Sequence, residues 1–191
     1  MHWTVSNRLT MARVLLIPIF AVAFYFPGTL GYLVSTLLFT LAAFTDWLDG
    51  YLARTRSEET AFGRFLDPVA DKLLVATALV LLVEADRANG IIAAIIIGRE
   101  ITIGALREWL AEHATVVQVS VLGKAKTMLQ MLALGGLLIH IEIYHFDFHF
   151  WGTVLLWLAA LLTLWSGYEY IREAWPELIS KKVQPKKTET P

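Results

Sequence analysis

Long apolar stretches recur along the whole chain, and short polar stretches separate them. A helix needs about 20 apolar residues to cross the hydrocarbon core of a bilayer. The stretches that approach this length lie at residues 9–27, 30–54, 68–84, 91–110, 125–143 and 150–170. None of them alternates apolar and polar residues as a membrane β-barrel strand does. The pattern therefore predicts an all-α, polytopic membrane protein with six transmembrane helices.

The charged residues between these stretches predict the orientation of the chain in the membrane. Of its 16 Lys and Arg residues, only Arg87 falls in a loop assigned to the outer side. Because cytoplasmic loops carry an excess of Lys and Arg, we expect both termini in the cytoplasm. We expect residues 1–176 to form the membrane domain and residues 177–191, which include four lysines, to form a basic flexible cytoplasmic tail.

Composition narrows the class of protein. The 191 residues are 57% hydrophobic and 17% charged, against roughly 45–50% and about 25% in soluble domains. The net charge of −1 argues against nucleic acid as a partner. The chain has no cysteine, which excludes disulfides, thiolate metal sites and a cysteine nucleophile.

Four aspartates lie around the loop between the second and third apolar stretches. Asp46 and Asp49 share one helix face with Gly50 and Ala53, because these positions are spaced i, i+3, i+4 and i+7. Asp67 precedes Pro68, so we expect Asp67 to cap the third helix and Pro68 to be its first residue. Asp71 follows one turn later. Two antiparallel helices would bring all four carboxylates together near the cytoplasmic end.

The negative charges of such a carboxylate cluster must be compensated by cations or protons. A single aspartate at a helix end is usually a cap or a solvated charge, but ionisable groups at membrane depth are costly and mark function. Oxygen ligands without His or Cys suit hard cations. The sequence therefore predicts that Asp46, Asp49, Asp67 and Asp71 hold Mg²⁺ or Mn²⁺, as two ions of the kind that assist phosphoryl displacement.

The pattern Asp-x₂-Asp-Gly-x₂-Ala-Arg-x₈-Gly-x₃-Asp-x₃-Asp over residues 46–71 resembles the signature of the CDP-alcohol phosphotransferase family. Every signature position is met, at Asp46, Asp49, Gly50, Ala53, Arg54, Gly63, Asp67 and Asp71. The resemblance implies a homodimeric six-helix membrane enzyme whose metal site opens to the cytoplasm. Such enzymes displace CMP from a CDP-linked lipid with an alcohol.

Two further segments, residues 7–13 and 98–127, resemble the phosphatidylglycerophosphate synthase branch of that family, although Ser6 stands where Pro is frequent. This resemblance implies CDP-diacylglycerol and sn-glycerol 3-phosphate as substrates, with CMP released. The charges agree with a phosphate-bearing acceptor, since a group of cations at the mouth of a membrane cavity can bind a phosphate. The candidate phosphate ligands are Arg99, Arg107, Lys124 and Lys126. Positive-inside topology alone is the alternative explanation of these charges.

The resemblance also implies roles for single residues. Asp71 would take the proton from the acceptor hydroxyl as well as bind metal. The residues expected to contact the CDP-lipid are Asn7, Thr10, Asp46, Asp49, Gly50, Ala53, Arg54, Gly63 and Asp67. Asn7 and Thr10 are equally well explained as helix caps. We expect the cytoplasmic (inner) membrane as the location, with membrane lipids as surroundings.

Three other interpretations stay open at this point. Another member of the same family would use serine, inositol phosphate or phosphatidylglycerol as the acceptor. A small cation or proton-coupled carrier would use the aspartates as a relay, and it would release no CMP. A structural scaffold would leave the carboxylates uncompensated.

Overall fold

The computed structural model describes residues 5–56, 61–112, 121–139 and 147–180. Within these ranges the chain is all-α, without a strand, which confirms the predicted fold class. The helices are α1 (Val5–Phe24), α2 (Gly28–Arg56), α3 (Ala61–Glu84), α4 (Gly90–Glu112), α5 (Val121–Ile139) and α6 (Phe148–Ser180).

These helices are those of a multi-pass membrane protein. In the described part of the chain, three segments are long and apolar enough to cross a membrane, Asn7–Phe24, Gly28–Asp46 and Phe148–Ile179, and Ala125–Ile139 is a shorter apolar helix. The helices α3 and α4 carry charges within their apolar runs, at Asp71 and Lys72 and at Arg99 and Glu100. Charges at such depth mark functional positions. The side of the membrane on which the termini lie stays a prediction.

The third helix begins earlier than expected. Because α3 begins at Ala61, Asp67 and Pro68 lie inside it, and the prediction that Asp67 is an N-cap is wrong. Proline is most frequent at the first turn of a helix, which is why the sequence suggested a start at Pro68. Its missing N–H removes only one backbone hydrogen bond here. The extra turns place Asp67 on a rigid helix instead of a helix end.

The helix α3 lies at the centre of the bundle, where it contacts α1, α2, α4 and α5. Its Leu74, Leu79 and Leu82 are fully buried and belong to the largest apolar core. One edge of α1 packs on this core through Ile17 and Phe20. The charged turn of α3 around Asp71 is thereby held between helices from both halves of the chain.

The helices α5 and α6 approach each other closely at two glycines. A Cβ atom built on Gly152 would lie 2.8 Å from Cγ of Leu137, and one built on Gly136 would lie 3.6 Å from Cα of Gly152. Small residues allow such contacts between membrane helices. The close helix contact that these glycines suggest in the sequence is therefore made within the chain.

The last helix is longer than the predicted span at residues 150–170. It continues to Ser180 and so includes residues 177–180 of the segment expected to be a flexible tail. The rest of that segment, residues 181–191, lies outside the described residues.

Candidate active site

The first helix supplies polar partners to the aspartates of α2 and α3. Asn7, Thr10 and Arg13 follow one another at intervals of three residues and are all buried, so they share the inner face of α1. The Thr10 hydroxyl donates a hydrogen bond to Oδ1 of Asp67 over 2.6 Å. Nη1 of Arg13 lies 2.6 Å from Oδ1 of Asp46. The helix α1 therefore links both aspartate-bearing helices, and Thr10 lies too far inside it to be its cap.

Asp71 completes a compact charged group with Asp46 and Arg13. Its carboxyl lies within hydrogen-bonding reach of that of Asp46 and within electrostatic reach of Arg13 and Glu100. Two neighbouring carboxylates repel each other unless a proton or a cation lies between them. The fully buried Arg13 guanidinium supplies one positive charge. The group contains two carboxylates and one compensating cation, so it has capacity for another positive charge.

The donors that the structure describes suit a hard cation. Oδ1 of Asp71 is buried and accepts no hydrogen bond from the described residues, so its lone pairs are left for a cation or a proton. All carboxylate donors are oxygens, the ligands that Mg²⁺ and Mn²⁺ prefer. Among the described side chains, no three acidic or His residues yet form a metal-binding group. The side chain of the fourth predicted ligand, Asp49, lies outside the described residues.

Several other predicted contacts to the CDP-lipid cannot be placed. The structure describes only the backbone of Gly50, Ala53 and Arg54, which continues the helix α2. Gly63 is buried near the start of α3. The structure brings Asp46 and Asp71 together, and it ties Asp67 to Thr10.

The predicted phosphate ligands of α4 and α5 meet at an acidic residue. Nζ of Lys126 forms an ion pair with Oε1 of Glu100, and Nη1 of Arg99 lies 3.5 Å from the same oxygen. Nη2 of Arg99 donates a hydrogen bond to the Ser166 hydroxyl of α6 over 2.9 Å. Lys126 is buried, and Nε of Arg99 is buried without a hydrogen-bond partner among the described residues. Three helices thus converge on one charged cluster beside Asp71.

Arg107 lies at the edge of this cluster, within electrostatic reach of Arg99 and Lys126. It is exposed, and its guanidinium lies 5.7 Å from the centre of the Tyr170 ring. The eight residues between Arg99 and Arg107 correspond to about 12 Å along a helix. This position favours a role for Arg107 at the mouth of the cavity. The side chain of Lys124 lies outside the described residues.

Sequence reasoning missed three residues of this region. Arg13 had a detectable signal, since it repeats the spacing of Asn7 and Thr10 on one helix face. Glu100 stands beside Arg99 in a segment already singled out, but its pairing with Lys126 depends on how α4 and α5 each pack against α3 and α6. No sequence pattern indicates Ser166, because it reaches Arg99 only through the fold.

An apolar groove of about 520 Å³ begins near the carboxylates. It runs between α2, α5 and α6, and its lining includes Phe39, Ala43, Met131 and Gly135. Ala43 precedes Asp46 by three residues, which is less than one helical turn. A molecule with a charged end at Asp46 and an apolar chain could therefore occupy both regions.

The sequence comparisons identify the kind of enzyme that this chain resembles. The chain is 48% identical over 178 residues to a CDP-diacylglycerol–glycerol-3-phosphate 3-phosphatidyltransferase of Haemophilus influenzae, covering 91% of this chain and 95% of the relative. It is 49% identical over 183 residues to the protein of that name from Pseudomonas fluorescens, covering 91% of both chains. The model of the CDP-alcohol phosphatidyltransferase family matches residues 3–165. The chain therefore belongs to the CDP-alcohol phosphatidyltransferase family.

Proposed function

We propose that this chain transfers the phosphatidyl group of CDP-diacylglycerol to sn-glycerol 3-phosphate, giving phosphatidylglycerophosphate and CMP. The observation that carries the proposal is the position of a buried cation cluster beside the carboxylate group. Lys126 and Arg99 suit the phosphate of the acceptor. The names of the relatives describe the same reaction. Serine has no phosphate for these cations, whereas inositol phosphate does.

The carboxylates would hold the metal and move a proton. Asp46, Asp49, Asp67 and Asp71 are the proposed ligands of two Mg²⁺ or Mn²⁺ ions. When bound, these ions neutralise charge on the diphosphate and on the departing CMP. Asp71 accepts the proton of the primary hydroxyl of the acceptor, for which its buried Oδ1 is suited.

The bond changes follow from this placement. The acceptor oxygen attacks the phosphorus on the lipid side in line, and the bond from that phosphorus to the CMP oxygen breaks. Arg13 holds Asp46 in place, and Thr10 holds Asp67. The remaining proposed CDP-lipid contacts come from Asn7, Gly50, Ala53, Arg54 and Gly63. The groove beside Ala43 would receive an acyl chain.

We further propose an inner-membrane location with the carboxylates facing the cytoplasm. The loop charges support this orientation, because only Arg87 of the 16 cations falls on the opposite side. A second copy of the chain is the expected partner, as the family resemblance implies.

The test is release of CMP by the purified protein in detergent with CDP-diacylglycerol and Mg²⁺. Glycerol 3-phosphate, serine and inositol 1-phosphate are compared as acceptors. We expect release with glycerol 3-phosphate and its loss when Mg²⁺ is chelated. Release with another acceptor alone would keep the family and overturn the substrate. Absence of release with every acceptor from a folded sample would contradict the proposed reaction and favour a carrier.

A further inference from the structure

Glu100 is an acidic residue that the proposed reaction does not use. It lies in the middle of α4, about ten residues or roughly 15 Å from the start of that helix. Its Oε1 atom is the shared partner of the Lys126 ammonium and the Arg99 guanidinium. A single carboxylate oxygen therefore holds together the two cations proposed to bind the acceptor phosphate.

Burial makes this pairing consequential. The side chains of Lys126 and Arg99 are 6% and 13% exposed, and that of Glu100 is 27% exposed. Buried cations need a counter-anion, and breaking such a pair is costly. A phosphate oxygen forms charge-assisted hydrogen bonds with the same two groups. Glu100 and an incoming phosphate therefore require the same donors.

We propose that Glu100 is a resident counter-anion that occupies the phosphate position until the acceptor arrives and thereby selects acceptors that carry a phosphate dianion. The inference rests on the proposed function. Lys126, Arg99 and Glu100 together carry a net charge of +1, with Arg107 as a further cation and Asp71 as a further carboxylate within electrostatic reach. A phosphate monoester, with about −1.5 to −2 charges at pH 7, attracts both cations more strongly than one carboxylate does. A neutral alcohol or a monoanion lacks the charge to replace Glu100.

The nearby hydroxyl of Ser166 supports the exchange. It holds Nη2 of Arg99 over 2.9 Å, independently of Glu100. Arg99 therefore keeps one anchor on α6 when the contact with Glu100 is given up. Asp71 lies within electrostatic reach of Glu100, so a phosphate in this position would put the rest of the acceptor near the proposed base.

The experiment compares Glu100→Gln with Glu108→Gln in the full-length protein. Glu108 lies two turns further along α4 and is exposed, so it controls for loss of a carboxylate from the same helix. We expect Glu100→Gln to lower the KM for glycerol 3-phosphate about tenfold, or about 1.4 kcal/mol. The expected kcat is unchanged, because Gln keeps the size of Glu and removes only the competing charge. Glu108→Gln should match the wild type.

Three outcomes would overturn the inference. An unchanged KM would show that Glu100 does not compete with phosphate. A raised KM or a lowered kcat that Glu100→Asp restores would show that Glu100 supports the site instead. Equal gains in both Gln variants would assign the effect to overall charge.

A binding measurement separates this inference from the proposed reaction. Inorganic phosphate is titrated calorimetrically into the wild type and both Gln variants, without CDP-diacylglycerol. Tighter binding to Glu100→Gln alone would support the counter-anion even if the wild type released no CMP. If Glu100→Gln does not fold, inhibition of the wild-type enzyme by anions tests the inference instead. Phosphate should then compete with glycerol 3-phosphate in the wild type, and formate at the same concentration should not. Equal inhibition by both anions, or none, would overturn the inference.

Discussion

Both sides of the candidate site stabilise charged groups inside the helix bundle, but the groups have opposite charges. On the side formed by α1, α2 and α3, the partly exposed carboxylates of Asp46 and Asp67 are held by the buried Arg13 and Thr10. On the side formed by α4, α5 and α6, buried cations are held by Glu100 and Ser166. On each side, charged groups of one helix are stabilised by polar or oppositely charged side chains of another helix. The excess charge that remains, negative on one side and positive on the other, indicates what each side binds.

The difference predicts separate kinetic effects. Substitutions on the carboxylate side should lower kcat with every acceptor, because the proposed mechanism uses this side to activate the hydroxyl and the diphosphate. Substitutions that remove or misplace a cation on the other side should raise the KM only for acceptors that carry a phosphate, whereas Glu100→Gln should lower it. The following predictions test this division, from the largest expected effect to the smallest.

Asp71→Asn should cause the largest loss. Removing a general base lowers the rate by roughly 10²–10⁴-fold. The measurement is kcat for CMP release with each acceptor. Asp86→Asn is the matched control, since Asp86 is exposed and has a positive φ of 57° that Asn tolerates. Loss with only one acceptor would break the proposed division.

Arg13→Met should destabilise the fold as well as the site. Only Arg13 of this ion pair is fully buried and the Asp46 side chain is 37% exposed, so we expect a loss of about 1.5–3 kcal/mol, the range for a hydrogen bond to a charged group. Thermal unfolding in detergent measures this loss. Arg8→Met on the same helix is the control, since Arg8 is exposed. Equal melting temperatures for the two variants would contradict a structural role of the Arg13 pair.

Thr10→Val should lower kcat about tenfold with the substrate KM values little changed. A hydrogen bond to a charged group contributes about 1.5–3 kcal/mol, and Asp67 loses this donor. Thr102→Val is the control, because the Thr102 hydroxyl donates only to the backbone oxygen of Gly98 in its own helix. The proposed role fails if both variants keep the wild-type kcat.

Ser166→Ala should raise the KM for glycerol 3-phosphate about fivefold, or about 1 kcal/mol, because Arg99 loses the hydrogen bond that it donates to Ser166. The kcat should stay the same. Ser35→Ala is a fitting control, since Ser35 is also buried but donates to the oxygen of Tyr32 within its own helix. A fall in kcat without a change in KM would contradict the proposed role of Ser166 in binding the acceptor phosphate.

Tyr25→Phe should leave both kinetic constants unchanged, because Tyr25 lies at the opposite end of the bundle. Its hydroxyl donates to Glu84 over 2.5 Å, and this hydrogen bond raises the pKa of Tyr25. The hydrogen bond is complete below pH 10, the pKa range of a free tyrosine, and is lost as the pH rises through the raised pKa. Wild type and variant should therefore show parallel stability between pH 6 and pH 9. If the stabilities of the two proteins diverged between pH 6 and pH 9, the hydrogen bond from Tyr25 to Glu84 would not explain the raised pKa.

Local patterns predicted much of this molecule. Apolar runs of membrane length predicted the helices, and the spacing of Asp67 and Asp71, i and i+4, predicted that they share one helix face. Each of these features depends on residues close in the sequence. The start of α3 was misplaced because Pro68 is compatible both with a first turn and with an interior position.

The partners of the charged groups could not be predicted in the same way. The pairs Arg13–Asp46 and Glu100–Lys126 join different helices, so they depend on how each helix is rotated and packed. Helical periodicity identifies a shared face but not the neighbour that the face meets. Ser166 illustrates the limit, since an ordinary serine in an apolar helix becomes a ligand of Arg99 only in the assembled bundle.

The depth of Arg99 and Glu100 has an electrical consequence. These residues lie roughly 15 Å along α4, about half the thickness of the hydrocarbon core. In the orientation predicted from the loop charges, an acceptor dianion approaches them from the negatively charged side of an energised membrane. A charge that crosses the whole membrane gains about 2.3 kcal/mol per 100 mV, so two charges crossing half of it gain about the same. The membrane potential itself would then draw glycerol 3-phosphate into its site.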